Sequence, residues 1–302
     1  MPRSSSRAGR EPRVPPEKVR TTVAEVAPAA PAPGAPAPEA GEAALRALWT
    51  AWFSIDPRAA VADAVAAAAE ALRHDQGDEA AWYALLRGRE MLGDHGPVSA
   101  GPEQHRSLVE AVEAVSRRLD WSARLAAVHA RLDGSAASAR SALQVNPGYP
   151  PAQVALGRAL LREGMPQAAR SLLEDVREPE RVQGGAAALA RARLETGDPG
   201  KALIAAARET NAPGLCGLEP AIHDPTLVSE LDEIRGLARL ALGATDAGVR
   251  SLLRAAAAGS AGARKALTGQ AERDDIRRAL GRLARDSGLA PEARELAAAL
   301  AG

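Results

Sequence analysis

Apolar residues recur at helical spacing from Gly41 to the end of the chain, and glycines and prolines interrupt them at short intervals. The run from Asn146 to Gly164 shows the unit most clearly. A turn at Asn146-Pro147-Gly148 is followed by an amphipathic stretch with Leu156, Leu160 and Leu161, and Gly164 stops it. A second stretch, Gln167 to Val176, carries Ala169 and Leu173 on one face. The arrangement returns as Leu189-Ala190, Leu194, Gly197, Ala202 and Ala206. Gly164 and Gly197 are 33 residues apart, close to the ~34-residue period of a two-helix repeat. The pattern predicts helices over 42–53, 57–74, 78–93, 103–119, 121–132, 135–145, 150–163, 166–177, 184–196 and 199–210. After an irregular insert, 212–225, it predicts more near 226–242, 246–258, 261–268, 273–286 and 291–300. Asp56-Pro57 reads as an N-cap followed by proline at the first helical position.

Composition strengthens the helical reading. Of 302 residues 46% are hydrophobic but only 2% aromatic, and the apolar set is mostly Ala, Leu and Val. Alanine has the highest helix propensity, and runs rich in β-branched residues are lacking, so the expected class is all-α. Alanine also buries little area, so the helices must approach closely to gain stability. The bias of arginine over lysine (Lys18, Lys201 and Lys265 only) matches a GC-rich genome, read here as bacterial.

Residues 1–40 differ. They hold nine of the 22 prolines, with a Pro/Ala spacer from Pro28 to Pro38, and the first 20 residues carry six basic side chains against two acidic. The expectation is a disordered basic tail over 1–40 and a helical repeat domain over 41–302. No apolar core of a secretory signal is visible, no stretch is apolar enough to span a membrane, and the single Cys216 forms no internal disulfide. A cytoplasmic protein is expected.

The repeat resembles the tetratricopeptide repeat family. Leu156-Gly157 fills that family's Leu-small pair, Leu160 the next large slot, Gly164 the turn, and Ala169 and Leu173 the second-helix slots. Ala142-Leu143-Gln144-Val145-Asn146-Pro147 matches the end of the preceding repeat, and Asp78-Glu79-Ala80-Ala81-Trp82 with Leu85 matches another. The resemblance is clear over 60–93 and 120–210 and degenerate over 226–302, where Gly236, Leu240, Gly243, Gly248 and Leu252 still fit. It implies an α-α solenoid of two-helix repeats with Leu156, Leu160, Ala169 and Leu173 packed together. The residue pattern by itself also admits another α-α solenoid or a non-repeat bundle.

Catalytic and metal-binding motifs are absent from the sequence: no His-Glu-x-x-His, Cys-x-x-Cys, phosphate-binding Gly-x-x-x-x-Gly-Lys, Gly-x-Ser-x-Gly or Gly-x-Gly-x-x-Gly. Cys216, Glu219, His223 and Asp224 form the one conceivable reactive cluster, and the preferred reading is a loop whose His223-Asp224-Pro225 turns into the next helix. Trp49, Trp52, Trp82 and Trp121 are read as packing residues. Neither catalysis, a metal nor a cofactor is expected.

The resemblance further implies that first helices line a concave surface. The residue after each small-residue slot, a slot that Leu86 fills in place of a small residue before Arg87, faces that surface: Arg87, Arg158 and Arg191, with Leu161 and Leu194 one turn beyond Arg158 and Arg191. Arginines in a row suit carboxylates, so the expected partner is a protein, through an acidic peptide or helix. The family's chaperone-tail-binding members use Lys and Asn here, and the equivalent Asn slots hold Ala84, Ala155 and Ala188, so that activity is not implied. The leading expectation is a non-catalytic protein-interaction adaptor or scaffold. The alternative is a regulatory or nucleic-acid-associated protein that uses the basic tail.

Overall fold

The computed structural model describes residues 38–92, 109–115 (apart from 111), 122–209 and 218–302. Residues 1–37 of the predicted tail, most of the predicted helix over 103–119, Trp121 and Cys216 lie outside the described residues. Every regular element among those described is helical, and together they form an α-α solenoid. The N-terminal helices are α1 (Pro38–Thr50), α2 (Pro57–His74) and α3 (Glu79–Met91). The central ones are α4 (Ala123–Asp133), α5 (Ala136–Val145), α6 (Pro150–Arg162), α7 (Pro166–Glu174), α8 (Gly185–Glu195) and α9 (Pro199–Arg208). The C-terminal ones are α10 (Pro225–Ala241), α11 (Thr245–Ala257), α12 (Ala261–Gln270), α13 (Asp274–Leu283) and α14 (Pro291–Ala301).

The sequence places their ends as capping rules require. Asp56 accepts from the backbone N–H of Arg58 and Ala59 at 3.1 Å each, with Pro57 in the first helical position of α2. At the turn between α6 and α7, Gly164 adopts φ 73°. There its N–H bonds to Leu161 O and that of Met165 to Leu160 O, a Schellman cap that a side chain at residue 164 would strain. Gly197 closes α8 with the same pair of bonds one repeat later. Several boundaries differ from the sequence reading by one to four residues, most of all the start of the first helix. α1 starts at Pro38, inside the stretch read as spacer, because a proline is tolerated in a helix's first turn.

Packing follows the repeat. Each first helix packs on its own second helix: α4 on α5, α6 on α7, α8 on α9, α10 on α11. Each first helix also touches the next first helix, giving the continuous row α3, α4, α6, α8, α10, α12. Leu156, Leu160, Ala169 and Leu173 are all buried in one central core cluster that runs from α4 to α10. A second cluster joins α1 to α4, and a third α11 to α14. Alanines fill much of the contact surface, with Ala130, Ala139, Ala159 and Ala190 fully buried. Trp82 is half-buried against the N-terminal core, and its indole N–H donates to Gln76 O at 2.9 Å.

Candidate functional site

The row of first helices carries the predicted arginines, and the structure gives each an internal partner. Arg158, on α6, donates to Glu230 of α10 at 2.9 Å and to Gly184 O at 3.2 Å. The Glu230 carboxylate raises Arg158 above the ordinary arginine value. Arg191, on α8, donates to Glu233 of α10 at 2.8 Å. Glu230 and Glu233 stand three residues apart, on one face of α10, so two carboxylates of one helix gather two guanidiniums from the two preceding first helices. Leu161 and Leu194, one turn further along the same helices, are half-buried and pack against the central core.

Arg87, on α3 of the same row, meets other partners. It is 3% exposed and belongs to a polar cluster between α3, α4 and two connecting segments. Its Nη1 lies 2.6 Å from Glu90, its Nε donates to Pro220 O at 3.0 Å and its Nη2 to Gln183 Oε1 at 3.2 Å. Glu90 is shared. Arg131 of α4 grips it with both Nε and Nη2, at 2.9 and 3.1 Å, and reaches Glu219 with Nη1 at 2.8 Å. Burial disfavours the charge on Arg131, but the carboxylates of Glu219 and Glu90 outweigh it and raise its pKa well above the ordinary arginine value. The same contest raises Arg87, with Glu90 the main opponent of burial. Tyr83 is pushed well above its ordinary value by burial and then by Glu219, and Tyr149 is pushed up to about 12 by the same two causes.

Sequence reasoning missed Glu90, Arg131, Gln183, Glu230 and Glu233. One signal for the first two was present. Glu90 lies three residues after Arg87, in the slot that Leu161 occupies after Arg158. Counted back from the turn at Gly134, Arg131 takes the same slot in α4. Two successive first helices thus replace the apolar residue with opposite charges, and the stacking brings those charges together.

The insert contributes a cap that the sequence did reveal, and the end of α9 a further missed group. Asp224 caps α10, accepting from the backbone N–H of Thr226 at 2.8 Å and from its hydroxyl at 2.7 Å, with Pro225 next. This is the turn read from His223-Asp224-Pro225. Glu209, at the end of α9, caps α8 from a distance: its carboxylate accepts from Gly184 N at 3.0 Å and Ala187 N at 2.8 Å. Among the described residues no group of three or more His, Cys, Asp and Glu side chains gathers as metal ligands.

Glu209 gives a pH test. Burial raises its pKa above the ordinary 4.5, although two backbone N–H groups and Arg158 pull it down. A raised acid binds its proton more tightly in the folded state, so its contribution to stability is full below 4.5 and declines as pH rises through the folded value. Glu209→Gln removes the titration. The stability advantage of the wild type over this variant should therefore be greatest below pH 4.5 and shrink as pH rises above it, read from urea midpoints of both proteins. An advantage that grows with pH would reverse the sign of the shift.

The family model described as tetratricopeptide repeat matches residues 129–194, a stretch running from within α4 to the last turn of α8. No curated protein matches the chain. No described helix is long and apolar enough to cross a membrane.

Proposed function

We infer that this chain, which carries tetratricopeptide repeats over residues 129–194, is a non-catalytic adaptor or scaffold that binds a segment of a partner protein on the face of its first helices. Repeats of this family generally serve protein–protein interaction. The observation that carries the reading here is chemical: this face holds peptide backbone. Arg87 donates to Pro220 O and Gln183 donates to Ile222 O at 2.9 Å, so side chains of the helical row and of the segment entering α8 bond to the main-chain oxygens of a segment that is neither helix nor strand. Arg158 and Arg191 supply cationic contacts, and Leu161 and Leu194, three residues further along the same helices, supply apolar ones. An acidic peptide or helix of the partner competes there with Glu230 and Glu233. The nucleic-acid-associated alternative rests on the charge of residues 1–20 alone, and the salt dependence of binding separates the two.

The test uses Arg158→Gln with Arg191→Gln, since glutamate at these positions would face Glu230 and Glu233. Proteins that co-purify with the full chain from its native cell should be retained at least tenfold less by the double variant, about 1.4 kcal/mol, with the melting curve still cooperative. Undiminished retention sinks the assignment of these two arginines.

A further inference from the structure

The chain's own insert already occupies part of this face. Leu218–Asp224 has neither helix nor strand, yet Glu219, Pro220, Ala221 and Ile222 are all buried. Connections normally run over the surface, because a buried irregular backbone leaves polar groups without partners. This one is held as a ligand is held. Pro220 O takes Arg87, Ile222 O takes Gln183, the Glu219 carboxylate takes Arg131, and the Ile222 side chain enters the N-terminal core cluster alongside Tyr83 and Leu125. None of these groups belongs to α10, the helix that the segment leads into. Two contacts read main chain, one reads a carboxylate, and one apolar pocket reads an aliphatic side chain three residues further on.

Charge says what else would fit. Arg87 and Arg131 face Glu90 and Glu219, two positive groups and two negative. Lifting the segment out leaves two guanidiniums against Glu90, and such a site attracts another carboxylate. We propose that Leu218–Asp224 is an internal ligand, and that the site it fills takes a partner's extended peptide carrying a carboxylate three residues before an aliphatic residue, which binds by displacing it. This deepens the adaptor reading and rests on it. A tethered segment competes at a high effective concentration, so the site is closed to weak ligands and opens to a partner that binds better than Leu-Glu-Pro-Ala-Ile.

The experiment uses a fluorescent peptide copying residues 218–224 and follows its anisotropy with the full chain. In one variant, Glu219→Gln with Ile222→Ala, the internal competitor is weakened. The peptide should bind this variant at least tenfold more tightly than wild type. A peptide with glutamine in place of its glutamate should lose at least tenfold. Equal affinity for wild type and variant, or indifference to the peptide's carboxylate, overturns the proposal and makes the segment a fixed strap. Hydrogen exchange on wild type guards against a variant that fails to fold. The amides of Glu219, Ala221 and Ile222 should exchange at least a hundredfold faster than those of α8 through local opening; exchange at the α8 rate also overturns it. Loss of the internal-ligand result with retained sensitivity to Arg158→Gln and Arg191→Gln would strike this proposal and leave the adaptor reading standing. The opposite pattern would strike the arginine surface.

Discussion

Replacing Glu90 by methionine should lower the unfolding free energy by about 3–5 kcal/mol, the cost of breaking a buried ion pair from one side. Glu90 is 6% exposed and answers two guanidiniums, at 2.6 Å from Arg87 and 2.9 Å from Arg131. Without it Arg87 and Arg131 confront one another with only the Glu219 carboxylate between them. Methionine matches the volume and removes the charge, so lost packing is a small part of the effect. The cost is a property of the imbalance. Adding Arg131→Met to Glu90→Met should therefore recover a measurable part of the loss, a coupling of about 0.5–3 kcal/mol. The measurement is urea unfolding of the four proteins of the cycle, followed by far-ultraviolet circular dichroism. Additive losses, or a cost for Glu90→Met below about 1 kcal/mol, would mean that the three groups are solvated and independent. High salt should change the wild-type value little, since buried pairs are poorly screened.

What the sequence revealed and what it hid divide along a physical line. Helix positions were legible because alanine and leucine periodicity, Asp-Pro starts and glycine stops are local signals; α2 begins and ends where they place it. The packing of Leu156, Leu160, Ala169 and Leu173 was legible because a repeat fixes which faces meet. The roles of the charged residues were not. Arg87, Arg158 and Arg191 hold equivalent slots in sequence, yet α10 supplies carboxylates to the last two, while Arg87 meets Glu90, Gln183 and the insert. Those partners lie between 3 and 133 residues away along the chain, at distances set by how successive repeats stack. Glu219 looked like a loop residue because nothing local marks a segment that folds back 88 positions to Arg131. Glu209 hid for the same reason: Gly184 has no side chain to cap α8, and the acid that does so comes from the far end of the next helix.

The close approach of first and second helices should show itself as a paradox of size: a small addition at Gly157 is harmful, and becomes helpful once its neighbour is cut back. A Cβ at Gly157 would stand 2.6 Å from Leu173 Cγ and Cδ2, well inside contact. Leu173 is fully buried, so it has no solvent to swing into. Gly157→Leu should thus cost about 1–3 kcal/mol or more from overpacking, although the replacement raises helix propensity. Leu173→Ala should cost about 2–5 kcal/mol through lost transfer energy and the cavity left behind. Gly157→Ala combined with Leu173→Ala places the new methyl in that cavity and adds about 1 kcal/mol of helix propensity, so the pair should be more stable than Leu173→Ala alone. The degenerate part of the chain offers an internal control. Gly236 and Leu252 repeat the spacing of 16 residues, and a Cβ at Gly236 would stand 2.6 Å from Leu252 Cγ. The same cycle there should carry the same sign, with a smaller recovery, because the backbone nitrogen of Leu252 also lies 3.0 Å from the added carbon. Denaturant midpoints of the two cycles decide it. Additivity at Gly157 and Leu173 would mean that α6 and α7 part easily under strain. The same result at Gly236 and Leu252 alone would limit the tight repeat geometry to the segment around residues 129–194.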